Sequence, residues 1–306
     1  MTDAFVPRDA AHPGPSLPMR VVGALAGARA RRREGAPVEL ARERQANSRV
    51  ERFMRVPRGV TLTEETIGGV PVVRLSSGGG TRGTLLYLHG GAFALGSARQ
   101  ALTQAEVCAD GGPDIVSVEY RLAPEHPFPA ALDDALAVYR ALLVSPGPKR
   151  IVACGESAGG GLLLLTLQRA LQEGMAMPAA AVAVFPWADL SMSGPSATAN
   201  LGKDLLSRSE LVQEAAWFAG DRDLQDPAVS ALQGSFQGFP PTWIPVGTHD
   251  VLLDDARRVA RAMAAAGVDV DLDEWPGAIH GFTALPLPEG RRYRRRLRDF
   301  VDTRMP

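Results

Sequence analysis

Ser157 stands in the stretch GESAGG, with Gly155 and Gly159 two residues to either side. An apolar, strand-like run precedes it and a helix-like run opens at Ala158. A serine at such a strand-to-helix turn is lifted clear of a sheet, and small flanking residues permit the strained turn. Free N–H groups and partial positive charge at the helix N-terminus favour negative charge on a nearby oxygen. The bland reading is a helix N-cap serine. A nucleophile needs more: a base, an acid and oxyanion donors elsewhere in the chain.

A hydroxyl is a poor nucleophile without a base. Of the five histidines, His12 lies in a proline-rich tail, His126 in APEHPFPA, His89 at the head of HGGAF and His249 beside Asp250. His280, in the loop EWPGAIHGF after the last strand-like run, is the candidate base. Asp250 ends the run TWIPVGTHD, and sites gather at strand ends in open parallel sheets. It is the candidate acid. Asp254 and Asp255 are its rivals, inside the following helix, where solvent or a salt bridge is the ordinary fate. His249 reads as a supporting or surface residue. Ser157, Asp250 and His280 follow the order nucleophile, acid, base, one of those in which such triads occur. The loop YLHGGAF follows a strand-like run, and its glycines let backbone approach a substrate closely. Gly91 and Ala92, with Ala158, are the expected oxyanion donors, with Gly90 in reserve. The chemistry implied is acyl transfer through a covalent intermediate.

The elements that must hold these residues follow from the apolar pattern. Four prolines in the first 18 residues imply an irregular or loosely docked start, and residues 19 to 55 read as helix. The charge run ARARRREG reads as a solvated helix face. TLTEETIGGVPVVRL is a hairpin through Gly68 and Gly69. Strand-like runs then alternate with helical segments near 97–110, 130–143, 158–173, 208–219, 253–266 and 291–303. Apolar strands without polar alternation suit a sheet covered on both faces. Strand-then-helix repetition means right-handed crossovers and a mostly parallel sheet. In the last helix Tyr293, Leu297, Phe300 and Val301 make one apolar stripe with arginines outside it.

A chain of 306 residues, 45% hydrophobic, can bury a large core. Its formal charge of −1 and pI near 6.5 argue against a nucleic-acid or anionic-membrane partner. Cys108 and Cys154 make no disulfide framework, and Cys154 reads as a small buried hydrophobe. No apolar run is long enough to span a membrane. The stretch VVGALAGARA only faintly suggests a signal peptide, since Asp3, Asp9 and prolines precede it in place of a basic segment. The expected location is cytoplasmic.

HGGAF at 89–93, YRLAPEHPFPAAL at 120–132, GESAGG at 155–160, DVLLD at 250–254 and HGF at 280–282 occur in one order. With these motifs the chain resembles the hormone-sensitive-lipase-like family of bacterial esterases over roughly residues 60 to 303. The resemblance implies an α/β-hydrolase fold: a mostly parallel eight-stranded sheet with helices on both faces, under a helical cap. Residues 1–55 would form an N-terminal cap segment, and 56–306 the catalytic domain, with a cap insertion at about 190–226. It implies a serine carboxylic ester hydrolase without cofactor or metal, acting on a small-molecule ester or lactone, a metabolite deacetylase among the options. A homodimer through the sheet edge is implied as well. A small-molecule receptor on the same fold is a second reading, but such receptors lack the histidine that His280 supplies here. An acyltransferase using the same triad is a third.

Three departures stand out. Ala92 replaces the third glycine of the oxyanion loop, tolerable at negative φ. Glu156 and Glu119 replace aspartates, each one methylene longer. Ala92 narrows the pocket, and Phe93, Trp217 and Phe218 are expected to roof it. Each added acyl methylene gains about 0.8 kcal/mol from burial, but overfilling a packed site costs about 1–3 kcal/mol. The expected preference is therefore acetyl to about hexanoyl.

Overall fold

A computed structural model describes residues 12–78, 82–145 and 150–305. The expectations that fall on residues 1–11 lie outside these. Two helices open the described chain, α1 (Leu17–Arg33) and α2 (Leu40–Phe53). They replace the one continuous helix expected over 19–55. Gly35, at φ +80°, and Pro37 interrupt it, because neither continues a helix readily. Ser16 caps α1 through Met19 N–H, and its own N–H and hydroxyl donate to Glu289 at 2.8 and 3.0 Å. His12, placed by sequence in a loose tail, instead stacks on Trp275 at 3.9 Å and meets Asp273 at 2.6 Å. The arginine run is not simply solvated either. Arg31 donates to Gly202 O, and Arg33 pairs with Glu43 and Glu210.

β1 (Thr61–Ile67) and β2 (Val70–Ser76) form the expected hairpin. Gly68 and Gly69 both have positive φ, which a two-residue turn matched to strand twist requires. Then come β3 (Thr84–Leu88), a 3-10 helix (Ala98–Val107), β4 (Asp114–Val118), α3 (Ala130–Val144), β5 (Ile151–Glu156), α4 (Ala158–Gln172) and β6 (Ala180–Val184). They are followed by α5 (Ser196–Ala199), α6 (Arg208–Ala219), β7 (Thr242–Gly247), α7 (Leu253–Ala265), β8 (Val270–Trp275) and α8 (Pro288–Arg304).

The eight strands form one sheet in the order β1-β2-β4-β3-β5-β6-β7-β8. β2 pairs antiparallel with β1 and β4, and the other neighbours pair in parallel. β5, β6 and β7 are buried along their whole length, which explains their unbroken apolar runs. The crossover from β3 to β4 runs along the sheet in the opposite direction to those from β4 onwards. Right-handed connections therefore put the 3-10 helix on one face and α3, α4 and α7 on the other. α8 packs on the 3-10 helix with Tyr293, Leu297 and Val301 buried. One of its arginines departs from the expected outer position: Arg294 is buried and donates to Thr283 O at 2.7 Å.

β3 and β5 are neighbours whose connections leave to opposite faces. That is a switch point, where a crevice opens beyond the strand ends. Register sets Leu88 opposite Gly155, so the loop after β3 and the turn after β5 lie side by side. Gly247 lies opposite Trp275, which does the same for the loops carrying Asp250 and His280. Among the described residues no helix is long and apolar enough to cross a membrane.

Candidate active site

Ser157 has φ 57° and ψ −121°, a strained conformation for a residue with a side chain. The glycines around it are needed for close approach. A Cβ on Gly155 would lie 2.1 Å from Gly159 O, and one on Gly159 2.2 Å from Leu88 O. Ser157 N–H donates to Val184 O, and Ser157 O accepts from Gly161 and Trp187. The turn is thus tied to β6 and α4, and the hydroxyl stands above β5.

His280 Nε2 lies 2.8 Å from Ser157 Oγ, and His280 Nδ1 lies 2.8 Å from Asp250 Oδ2. Asp250 is fully buried, and its Oδ1 accepts from Leu252 N–H at 2.8 Å. Burial alone would lower the His280 pKa. The Asp250 charge and hydrogen bond, then Asp204 and Glu156, outweigh it and raise the ring above its ordinary value. The rivals are occupied elsewhere. Asp254 accepts from Ser196 N–H, and Asp255 from Ala188 and Asp189 N–H. Asp255 is buried, which differs from the solvated or salt-bridged fate expected of it. His249 is half-buried near Lys203, and its side chain makes no bond to Ser157, Asp250 or His280. Burial holds His89 at about 4, so its ring is neutral. It stacks on Tyr120, whose hydroxyl donates to His89 O at 2.7 Å. The YRLAPE motif therefore anchors the HGG loop.

Gly90, Gly91 and Ala92 line the cleft over Ser157, and their N–H groups donate to no acceptor among the described residues. Gly91 has φ +119°, while its carbonyl accepts from Ala94 and Leu95. Ala158 is the first residue of α4, where an N–H has no intrahelical partner. Ala92 departs from expectation, with φ at +51°. An alanine is strained there, so its methyl sits in a left-handed turn that glycine would occupy more easily. Glu156 accepts from Gln104 at 2.7 Å and is pushed up to about 7 by burial. Glu119 accepts from Ala98 N–H at 2.7 Å and so holds the start of the 3-10 helix.

The cleft has a volume of about 400 Å³. Phe185, Leu205, Leu206 and Leu211 wall it, with Val38 and Met54 from the N-terminal segment. Phe93, Trp217 and Phe218 are not among the lining residues. Phe93 and Phe218 stack on each other at 3.7 Å, both buried, and Trp217 is only partly buried against the core. These aromatics pack behind the loop and do not roof the cleft.

A buried carboxylate beyond those expected from the sequence supports the site. Asp204 is fully buried and accepts from His280 N–H at 2.8 Å, Leu205 N–H at 2.7 Å and Val251 N–H at 2.9 Å. It joins the loop carrying His280 to the loop carrying Asp250. Asn200 Nδ2 donates to Asp250 O at 2.8 Å and reinforces the second loop. Nothing local in LGKDLL signals this role, because the partners are backbone groups far along the chain. Burial, then the Asp250 charge, pushes Asp204 upwards. Asp204→Asn turns an N–H toward at least one of the three donors. A buried donor left unpaired costs about 1–3 kcal/mol, and a small displacement of the reacting groups costs on the order of 10²-fold. Loss of that size in kcat/KM is expected, together with lowered stability in urea. Lowered stability with an unchanged rate would mean that Asp204 serves folding alone.

A family model described as the alpha/beta hydrolase fold matches residues 85–284. An acetyl-hydrolase of Streptomyces hygroscopicus is 41% identical over 68% of this chain and 72% of its own. An esterase of Acinetobacter venetianus is 35% identical over 65% and 67% respectively. Among solved structures, a hormone-sensitive lipase from a metagenome library superposes with a TM-score of 0.88 at 31% identity, covering 94% of this chain and 98% of its own. An esterase of the bacterial hormone-sensitive lipase family superposes with a TM-score of 0.87 at 31% identity, covering 95% and 100%.

Proposed function

This chain belongs to the hormone-sensitive-lipase-like family of the α/β-hydrolase superfamily and is a carboxylesterase-type hydrolase, and on that premise we propose that it cleaves short-acyl esters or lactones of small molecules through a Ser157–His280–Asp250 triad. The observation that carries the reading is the unbroken hydrogen-bonded chain from Ser157 Oγ through His280 to buried Asp250, opening into the cleft.

Ser157 attacks the acyl carbon while His280 Nε2 takes its proton. Asp250 fixes the ring and stabilises the imidazolium that forms. The oxyanion is held by N–H groups of Gly91, Ala92 and Ala158, and these act without reorganising at the moment of reaction. The tetrahedral intermediate collapses, and His280 returns the proton to the departing alcohol. Water, activated by the same ring, then releases the acid and restores Ser157.

A volume of about 400 Å³ sits at the low end of small-molecule sites. It suits an acetyl to hexanoyl group with a small alcohol. The N-terminal helices and the 190–226 segment act as the cap, since both contribute wall residues. A series of p-nitrophenyl esters of rising length, with Ser157→Ala alongside, tests the reading. Turnover is expected to peak at or below hexanoyl and to be slight beyond about ten carbons. Efficient hydrolysis of long chains would overturn the size limit, and turnover by Ser157→Ala would overturn the nucleophile.

The acid limb of the pH profile gives a second test. Only neutral His280 can accept the serine proton. Because its pKa is raised, protonation begins at a higher pH than for a free imidazole, about 6.5. kcat/KM is therefore expected to fall tenfold per pH unit below a midpoint above that value. A midpoint below it would remove His280 as the base in this environment.

A further inference from the structure

The cleft holds more carboxyl groups than ester hydrolysis requires. Glu43 of α2 and Glu210 and Glu214 of α6 line it, with Arg33 of α1 as their cation. Arg33 is already engaged, Nη2 to Glu43 at 2.9 Å and Nε to Glu210 at 2.6 Å. Glu214, one turn along α6 from Glu210, is 6% exposed and makes no hydrogen bond or ion pair among the described residues. A charged carboxylate with so little access to water is costly unless a partner meets it or a proton neutralises it.

We propose that Glu214 is the recognition point for a primary or secondary ammonium group on the substrate, so that the natural esters of this cleft carry an amine. This rests on the hydrolase reading above and narrows its substrate class. An ammonium supplies both missing elements, N–H donors for the carboxylate and positive charge to balance the Glu43–Arg33–Glu210–Glu214 group. A neutral hydroxyl would supply only donors, and an anion would meet repulsion. Burial, then Glu210, raises Glu214 to about 8, with Arg33 opposing and Glu43 adding to the rise. A bound ammonium would draw it back down, so the pair forms with release of a proton.

Two matched pairs of esters test this at about pH 8.5. One is 5-aminopentyl acetate against hexyl acetate, with the amine on the alcohol side. The other is ethyl 6-aminohexanoate against ethyl heptanoate, with the amine on the acyl side. In each pair an ammonium replaces a methyl. The wild-type protein is expected to prefer the ammonium ester of at least one pair by on the order of 10- to 100-fold in kcat/KM, mostly through KM. In Glu214→Gln the ratio is expected to fall to near one, whatever the absolute rates. The anion 6-acetoxyhexanoate is expected to be the poorest substrate. No preference in wild type, or one that survives in Glu214→Gln, would overturn the proposal. Calorimetric titration with hexylammonium chloride reads the subsite without turnover. Saturable binding that Glu214→Gln loses supports it, and absence of binding overturns it. Binding without turnover of any ester, p-nitrophenyl acetate included, would sink the hydrolase reading while leaving the ammonium subsite standing.

Discussion

Ser157→Ala and His280→Ala are each expected to lose on the order of 10⁶-fold in kcat, and Asp250→Asn about 10⁴-fold. The three losses are not additive, because the groups act as one device: a hydroxyl without its base is nearly inert, and a base without its nucleophile has no proton to take. Asparagine at 250 keeps the shape but presents an amide where a carboxylate now accepts from His280 Nδ1, which favours the wrong tautomer and removes the charge that stabilises the imidazolium. The control is Asp254→Asn. That side chain caps Ser196 and has no contact with the triad, so its rate should stay within a few-fold of wild type. Asp255→Asn is a stability mutation by comparison, since its carboxylate accepts from two buried N–H groups. Near-wild-type activity of Asp250→Asn beside a dead Asp254→Asn would reassign the acid.

What could be read in advance, and what could not, follows from how far each signal reaches along the chain. The sheet was legible because its strands are short apolar runs buried on both faces, a pattern each strand carries in itself. The elbow was legible for a similar reason, since both of its glycines answer clashes within or beside the turn. The break at Gly35 to Pro37 could have been read from residue type, but the surrounding helical composition masked it. Trp217 and Phe218 misled because adjacent helical residues point about 100° apart. One faces the core and Phe93 while the other lies half-exposed, and neither faces the cleft. Asp204 and Glu214 were not legible at all. The first works through backbone donors from two distant loops, the second through the lack of a partner, and neither leaves a pattern in its own neighbourhood. The real walls of the cleft, Leu205, Leu206 and Leu211, are plain leucines whose exposure depends on how the 190–226 segment folds back.

Gly91→Ala is expected to cost at least 10²–10³-fold in kcat, the loss typical of one oxyanion donor. Gly91 has φ +119°, a region closed to residues with a Cβ, and a Cβ built there would lie 2.2 Å from Leu95 O. Leu95 cannot retreat easily, because its own N–H and that of Ala94 close the turn onto Gly91 O at 2.7 and 3.0 Å. The peptide planes of residues 90–92 must rotate instead, and the N–H groups of Gly91 and Ala92 turn away from the point where charge develops. The ground-state carbonyl depends on them far less than the oxyanion does, so the loss should appear in kcat with little change in KM. Ala92→Gly is the paired experiment. Its φ of +51° suits glycine better than alanine, so the variant should keep its N–H in place and its kcat within a few-fold of wild type. Urea denaturation of both variants separates a displaced loop from a lost fold. A folded Gly91→Ala protein with wild-type kcat would mean that other donors hold the oxyanion and that the HGG loop does not form the oxyanion hole.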